Sequence, residues 1–573
     1  MADAPDHGFD DSRRLTGPNR YFGSPAVTLT PLGRFAQDPN VLAAWAGYVQ
    51  AMAAALGWPD PEPAVRRHGR GSLLVFRAPA DALFSATDLN EWAWERAAAE
   101  AGEAGYALAQ DLGAGARDLL AARAAAERDP QLAALRAAAA AHGLPLIEDD
   151  ERISVGAGDG SRCWPRAALP APDAVPWDLL HDVPTALVTG SNGKTTTVRL
   201  LAAMARAAGL TPGLCSTEGV FVADEAVASG DYSGPEGARL VLRHPGVQAA
   251  ILETARGGIL RRGLAVSRAG AAVITNISAD HFGEYGIEDA HGLAETKLSV
   301  AYTVAGGGTL VLNADDPVLM AVAARLPHAR AARRALFAND YREAALLRWR
   351  AQGGDTCGVR DARLILGAAG REHDLGAIDE LPLTVAGAAP YNIANLAAPS
   401  LAAAALHLPL AAIIGTVQRF GASPQDNPGR LERWRYRGAI VLIDYAHNPD
   451  ALAKLLRVAR ALRPRQLGLL LGQAGNRDDA AIADLAVTAA RFAPDRVILK
   501  ELPLMLRGRT PGEVPALLER ALTAAGMAAQ RIEREPDEEM AARRLLDSAE
   551  AGDVIVLPIH TRAVRERLRQ LLT

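Results

Sequence analysis

"LVTGSNGKTTTVRLLAAMARAAG", Leu187 to Gly209, joins an apolar run, a glycine-containing turn, a lysine with three threonines, and an apolar-periodic segment. These parts predict one object. Ala186 to Val188 read as a buried strand, and a helix begins near Lys194. Between them Gly190 and Gly193 let backbone N–H groups converge on an anion, at the spot where the helix points its positive end. Lys194 can reach the terminal phosphates of a nucleotide, and the Thr195 hydroxyl can ligate Mg²⁺. The eight-residue form of such a loop starts on glycine, where this chain has Val188; the shorter run from Gly190 to Thr195 remains. The plainer alternative is an ordinary strand-to-helix turn. The order strand, glycine, Lys-Thr, helix favours a phosphate site, with Gly190, Asn192, Gly193, Lys194, Thr195 and Thr196 as its candidates.

Around this stretch, short apolar runs ("ALVTG", "AAILE", "AAVITNIS", "GTLVLNADD") alternate with helical patterns. That alternation predicts βαβ units on a parallel sheet, with ligands beyond the carboxyl ends of the strands. Residues 335–388, rich in short strands and turns, read as a side flap. A further α/β region starts near Pro428 with "AIVLIDYAHNPD", "LGLLLGQAGNRDD", "RVILKEL" and "DVIVLPIH". Residues 1–165 read as mostly helical α+β, with "SLLVFRA" as a strand. The expected organisation is an N-terminal helical α+β domain (1–165), a proline-rich linker (166–184), a central P-loop ATPase domain with a parallel sheet (185–426), and a C-terminal Rossmann-like α/β domain (427–573).

The bulk properties narrow the class. With 573 residues, 49% apolar and 22% charged, the chain reads as a soluble multidomain protein. A net charge of -5 argues against a nucleic-acid or membrane-surface protein. Cys163, Cys215 and Cys357 lack metal-type spacing, so reduced thiols in a cytoplasm are expected. The polar, acidic N-terminus shows no signal peptide, and no apolar run approaches the ~20 residues of a membrane span.

The motifs continue in order: "LETARGGILRRGL" (252–264), "NISADHFGEYG" (276–286), "LNADDP" (312–317), "YNIANLAA" (391–398), "NPGRLE" (427–432) and "DYAHNPD" (444–450). With "VTGSNGKTTT" they resemble the Mur ligases, over about residues 185–573. "LETARGGIL" and "RGRTPGE" (507–513) are similar to the Mur-like module that cyanophycin synthetases carry. "RRLTGPN" (13–19) resembles the start of those enzymes, but the chain has no room for their complete ATP-grasp domain before the Mur-like part.

The resemblance implies an ATP-dependent ligase that activates a carboxylate as an acyl phosphate and joins it to an amine. It implies ATP and one or two Mg²⁺ ions. Lys194, Glu253, His281, Lys297 and Arg430 would be the catalytic set, with Thr195, Glu253 and His281 on the metal. Lys297 is carbamylated in many family members; touching phosphate or facing solvent are its other readings. Asn392, Asn395, Arg430 and Asp444 would serve the nucleotide. Glu218, Asp231, Arg256, His447 and Asn448 would meet substrate, although helix capping reads equally well for the last two. The first expected acid is an aspartyl-type carboxylate on a peptide or conjugate, and the first expected amine is arginine; Glu284, Glu288 and Asp289 are candidates to face its guanidinium, with solvated loop charges as their more ordinary reading. One amide per ATP, and not a long polymer, is the expected outcome. The N-terminal region is expected to dock on the Mur-like part and aid substrate binding or assembly. A homo-oligomer is compatible with the sequence. The competing reading is a non-catalytic ATP-binding partner of such an enzyme, or a ligase of other substrates.

Overall fold

Apolar runs without alternation must be covered on both faces, and the strands after Thr185 obey this. A computed structural model describes residues 8–69, 71–102, 115–278 and 284–573. In it, the runs form an 11-stranded sheet. Its parallel centre runs Pro212–Ser216, Ala249–Glu253, Thr185–Thr189, Ala271–Ile274, Thr309–Asn313, Arg333–Asp340 and Thr356–Arg360. Successive side chains take opposite faces. Leu187, Leu252 and Ile274 enter one core with Leu298 and Val322. Val188, Ile251 and Val273 enter the other with Val198, Leu201, Leu396 and Leu401, from the helices Lys194–Ala207 and Tyr391–Ala405.

The segment expected as a side flap instead completes the sheet. Thr356–Arg360 joins in parallel, and Arg363–Ala368 and Arg371–Ala377 follow antiparallel at the edge. Leu364 and Leu366 face the same core as the helix Lys194–Ala207, which is why these short strands do not stand apart.

A second sheet of 6 strands follows, ordered Glu432–Tyr436, Ala439–Asp444, Val554–Pro558, Leu467–Leu471, Arg496–Leu499, Ile532–Arg534. All but the first pair in parallel. The carboxyl ends of both sheets border one cleft.

"SLLVFRA" lies in the strand Gly71–Arg77, which pairs with Ala26–Pro31 and Ala64–His68 in a 4-stranded antiparallel sheet completed by Phe9–Leu15. The helices Pro39–Ala55 and Leu83–Glu100 pack on it through Trp45, Leu89 and Trp94. This sheet is held to the central one: the Thr16 N–H donates to Arg262 O at 2.8 Å, and Arg20 pairs with Glu295 at 2.9 Å. The proline-rich stretch forms short 3-10 turns at Arg166–Ala168, Pro172–Ala174 and Trp177–Leu179. No helix among the described residues is long and apolar enough to cross a membrane.

Candidate active site

The cleft has a volume of about 1800 Å³. The glycine loop forms its floor, between the strand Thr185–Thr189 and the helix Lys194–Ala207. Gly193 sits in the left-handed region at φ 87°, and a Cβ there would lie 2.3 Å from Asn395 Oδ1. Only glycine fits both demands. Lys194 Nζ donates to Ser191 O at 3.1 Å, folding back over the loop. Lys297, buried at the end of the helix Ala290–Lys297, donates to Gly190 O at 2.8 Å and so braces the loop from below.

Thr195 and Glu253 meet beside the loop. The Thr195 hydroxyl donates to Glu253 Oε2 at 2.9 Å. Glu253 is 1% exposed, and among the described residues its Oε1 has no hydrogen-bond partner. Burial pushes this carboxyl above the usual range, against the pull of Lys194, the Thr195 hydrogen bond and Arg430. A buried carboxylate oxygen without a partner is costly, and a hard cation beside it would remove the cost. The donors here are oxygens, which suits Mg²⁺, an ion that keeps several waters and phosphate oxygens of its own. No cluster of three or more His, Cys, Asp or Glu arranged to hold a metal occurs among the described residues. His281, the other expected metal ligand, lies outside the described residues, with Asp280 of the same motif.

The facing wall comes from the second sheet. Arg430 Nη2 donates to Thr195 Oγ1 at 3.3 Å, and its guanidinium lies 4.6 Å from the Tyr445 ring centroid. Thr196 Oγ1 accepts from Asn427 Nδ2 at 3.1 Å. Asp444 ends the strand Ala439–Asp444 and accepts from the Leu431 N–H at 2.6 Å. Burial raises its carboxyl despite Arg430 and these backbone donors. Asn192, in the loop itself, donates to Asp450 Oδ2 at 2.9 Å and accepts from Asn448 Nδ2 at 3.3 Å. Asn448 also caps the helix Pro449–Ala461, so the helix-entry reading is met and its other contact is to the loop residue Asn192. His447 lines the cleft, with its Nδ1 3.1 Å from Tyr445 O. Asn395 donates to Asn392 Oδ1 at 2.7 Å, and Asn392 donates to Leu383 O at 2.8 Å. Asn392 thus anchors the pair while Asn395 touches Gly193.

The expected substrate residues divide. Asp231 lines the cleft and accepts from the Ser233 hydroxyl at 2.6 Å. Arg256 also lines it and is paired with Glu284. Glu218 does not border the cleft. Its carboxylate is held by Arg565 at 2.6 Å and Arg199 at 3.6 Å, which joins the helix Lys194–Ala207 to the last helix, Arg562–Leu572. Burial alone would raise Glu218; Arg565 and then Arg199 hold it below the usual range. Burial lowers Arg199 to about 10. The three carboxylates expected to face a guanidinium are occupied within the fold. Glu284 takes Arg256, Glu288 accepts from the Gly69 N–H at 2.6 Å, and Asp289 caps the helix Ala290–Lys297 through the Gly292 N–H at 2.8 Å.

The sequence reading missed a cluster on the second sheet. Lys500 follows the strand Arg496–Leu499, Glu538 starts the helix Glu538–Asp547, and His560 follows the strand Val554–Pro558. Lys500 Nζ lies 2.5 Å from Glu538 Oε1 and 3.0 Å from His560 Nδ1. The charged "LKEL" after an apolar run was the available signal.

Comparison with known proteins adds an independent line. The family model described as Mur ligase middle domain matches residues 188–360, and that described as Mur ligase, glutamate ligase domain matches residues 429–558. The cyanophycin synthetase of Trichormus variabilis is 36% identical over 378 residues, 66% of this chain and 41% of that protein. The chain spans less than half the length of the cyanophycin synthetases it matches. The UDP-N-acetylmuramoyl-L-alanyl-D-glutamate–2,6-diaminopimelate ligase of Chlorobaculum tepidum is 30% identical over 380 residues, 65% of this chain and 70% of the relative. Among solved structures, E. coli FolC in complex with ADP is 18% identical with a TM-score of 0.48, covering 68% of this chain and 89% of that one.

Proposed function

The chain belongs to the Mur ligase family, and from that premise we propose that it is an ATP-dependent, ADP-forming ligase of a carboxylate and an amine. The observation that carries this reading is the convergence of the glycine loop, Thr195, Glu253 and Arg430 in one cleft between two sheets. A carboxylate is a poor acyl donor. Its oxygen attacks the γ-phosphorus of ATP and ADP leaves; the amine then attacks the acyl carbon, phosphate leaves, and the amine loses a proton. Lys194 and the loop N–H groups neutralise charge on the transferring group. Arg430, which reaches Thr195 across the cleft, would face the same group, so the contact between the two sheets completes the site and would exclude water from the acyl phosphate.

Thr195 and Glu253 would hold Mg²⁺, with His281 serving a second ion. Bound Mg²⁺ supplies Lewis-acid neutralisation of phosphate charge. Activity in excess EDTA would contradict this part. Lys297 serves the loop as an ammonium donor, as its bond to Gly190 supports, or as a carbamate; intact-protein mass spectrometry separates the two.

The finer assignment follows the motif likeness. The acid is an aspartyl-type carboxylate on a peptide or conjugate, and the amine is arginine. We take residues 1–165 as an acceptor-side domain, since Asp10, Asp11, Thr30 and His68 line the far wall of the cleft. Residues 185–426 and 427–573 are the two closing parts. The N-terminal domain binds no ATP; calorimetry counting two ATP molecules per chain would refute this. The test of the function is ADP release across a panel of the twenty amino acids, with aspartyl peptides as acceptors. Release that requires both an amine and an acceptor is expected. Release that ignores the amine, or no turnover with any pair, would overturn the reading.

A further inference from the structure

The helix Arg256–Arg262 has 7 residues, too few to hold itself together in water. Its last turn leaves carbonyls without a partner inside the helix, and the N-terminal domain supplies what is missing. The Leu264 N–H, the donor that would continue the helix onto Leu260 O, instead donates to Pro18 O at 2.8 Å. Leu260 O accepts from Arg13 Nη1 at 2.5 Å. Arg262 O accepts from the Thr16 N–H at 2.8 Å and from the Thr16 hydroxyl at 3.2 Å. The two segments approach this closely because residue 17 is glycine: a Cβ there would lie 2.1 Å from Leu264 O.

Arg13 does more than satisfy one carbonyl. It leaves the strand Phe9–Leu15 with its side chain 11% exposed, paired with Asp11 two residues earlier on the same face. A cation at the carboxyl end of a helix is favourable in itself. The same guanidinium lies over the Tyr285 ring, 4.5 Å from its centroid, a cation–π contact that strengthens with burial. Tyr285 stands at φ 54°, a region that a bulky side chain enters when its surroundings impose it. Its neighbour Glu284 pairs with Arg256, the first residue of the same helix. Leu260, Ile287 and Leu293 tie the two segments from inside as one apolar cluster, with Tyr285 packed against it. Arg13 thus reaches both ends of the helix, the last turn directly and the first through Tyr285 and Glu284.

What this helix carries into the cleft is Arg256, whose side chain is 9% exposed. A guanidinium recognises a carboxylate through a planar fork of donors, so its aim depends on how firmly the helix is held. The pair with Glu284 does not hold it alone. Glu284 is 48% exposed, and an ion pair open to water on one side contributes little. The buried hold comes from Arg13, which does not itself border the cleft.

We propose that Arg13 is a positioning residue: from the N-terminal domain it fixes the helix Arg256–Arg262, so that Arg256 is aimed at the carboxylate of the acceptor. This rests on the ligase reading above. It adds that the N-terminal domain contributes to acceptor recognition through a side chain that touches no substrate.

Acceptor kinetics of the full-length protein test it, with the aspartyl peptide that best supports ADP release. Arg13→Met keeps the apolar stem and loses the charge and the donors. Its KM for the peptide should rise about tenfold or more, the scale of a lost hydrogen bond to a charged group, while its KM for ATP stays within about twofold. Arg13→Lys, which keeps a charged donor for Leu260 O, should recover part of the loss. A double-mutant cycle on kcat/KM for the peptide separates positioning from general weakening: in an Arg256→Met background, Arg13→Met should add less than about threefold. Penalties that multiply in full, an unchanged KM for the peptide, or an equal rise in KM for ATP sinks the proposal and leaves the ligase standing. Tyr285 gives a second route should Arg13→Met fail to fold. Tyr285→Leu removes the ring face and should raise the same KM; Tyr285→Phe keeps the face and should restore most of it. Leu and Phe behaving alike at this position would also sink the proposal. Amine-independent ADP release by the parent sinks the ligase reading itself.

Discussion

Glu253 ends a strand of the central sheet at 1% exposure, and Lys500 follows a strand of the C-terminal sheet at 0%. Both are buried charges beside the same cleft, yet their surroundings differ. Glu253 has one oxygen on Thr195 and one without a partner, and burial displaces its carboxyl upward. Lys500 has every proton accepted, and its partner Glu538 is fully bonded. An unsatisfied buried charge marks where a charged ligand must arrive. A satisfied one marks scaffolding, whose effect is felt at the neighbour it orients.

The largest expected effect breaks the nucleotide side of this comparison. Lys194→Ala should lower ATP turnover at least about a thousandfold, the scale of losing a charge that stabilises the transition state, while the melting temperature stays put. Near-parental ADP release by a folded variant would remove the nucleotide assignment.

Next comes the ion pair that ties the two regions together. Arg565 holds Glu218 below its unfolded-state value, so the stabilisation is present above the ordinary glutamate range and is lost as pH falls through the lowered value. Glu218→Gln leaves Arg565 buried at 3% side-chain exposure, and should cost about 3 kcal/mol in urea unfolding at neutral pH. A difference under about 0.5 kcal/mol, the scale of a surface pair, would show that this contact does not join the regions.

Glu253 has the opposite sign. Its raised value means the native state holds the proton more tightly. The metal-free protein is therefore favoured below the ordinary glutamate range and loses that contribution as pH rises through the raised value. Glu253→Gln should lose about a hundredfold in activity, yet without metal it should be at least as stable as the parent at neutral pH. Thermal melts with and without Mg²⁺ check this; a large destabilisation of the metal-free variant would place Glu253 with Lys500, as scaffolding.

The smallest effect is at the seam. Asn448→Ala removes a helix cap and a contact to Asn192. It should cost about 1 kcal/mol in stability and raise the KM for ATP a few-fold. A KM left at the parental value would separate the cap from the nucleotide loop.

The same contrast explains how much could be read from the chain. The glycine loop, Lys194 and Thr195 are contiguous, so their placement together is local and legible; the place of Glu253 beside them was legible because it closes an apolar run. The Lys500 cluster was not. Its members lie 38 and 60 residues apart in sequence, brought together by parallel strand order, which no local pattern encodes. Glu218 was read as a substrate contact through the family likeness of its loop, and its pairing with Arg565 and Arg199 was not legible because both come from distant helices. The strand Phe9–Leu15 was hidden by its charged composition, "FDDSRRL", and the short strands within 356–377 were legible as strands while their pairing with the central sheet, which depends on distant partners, was not. Glu284, Glu288 and Asp289 looked like free loop charges, but each has a partner that only packing supplies.

The central claim is ligation, and the most direct measurement is mass spectrometry of the products beside an ADP assay on the same reaction. Given an aspartyl acceptor, arginine or another accepted amino acid, Mg²⁺ and ATP, the account predicts one new amide for each ADP released, with no ladder from free amino acids alone. ADP without amide, or a polymer ladder from aspartate and arginine, would contradict it.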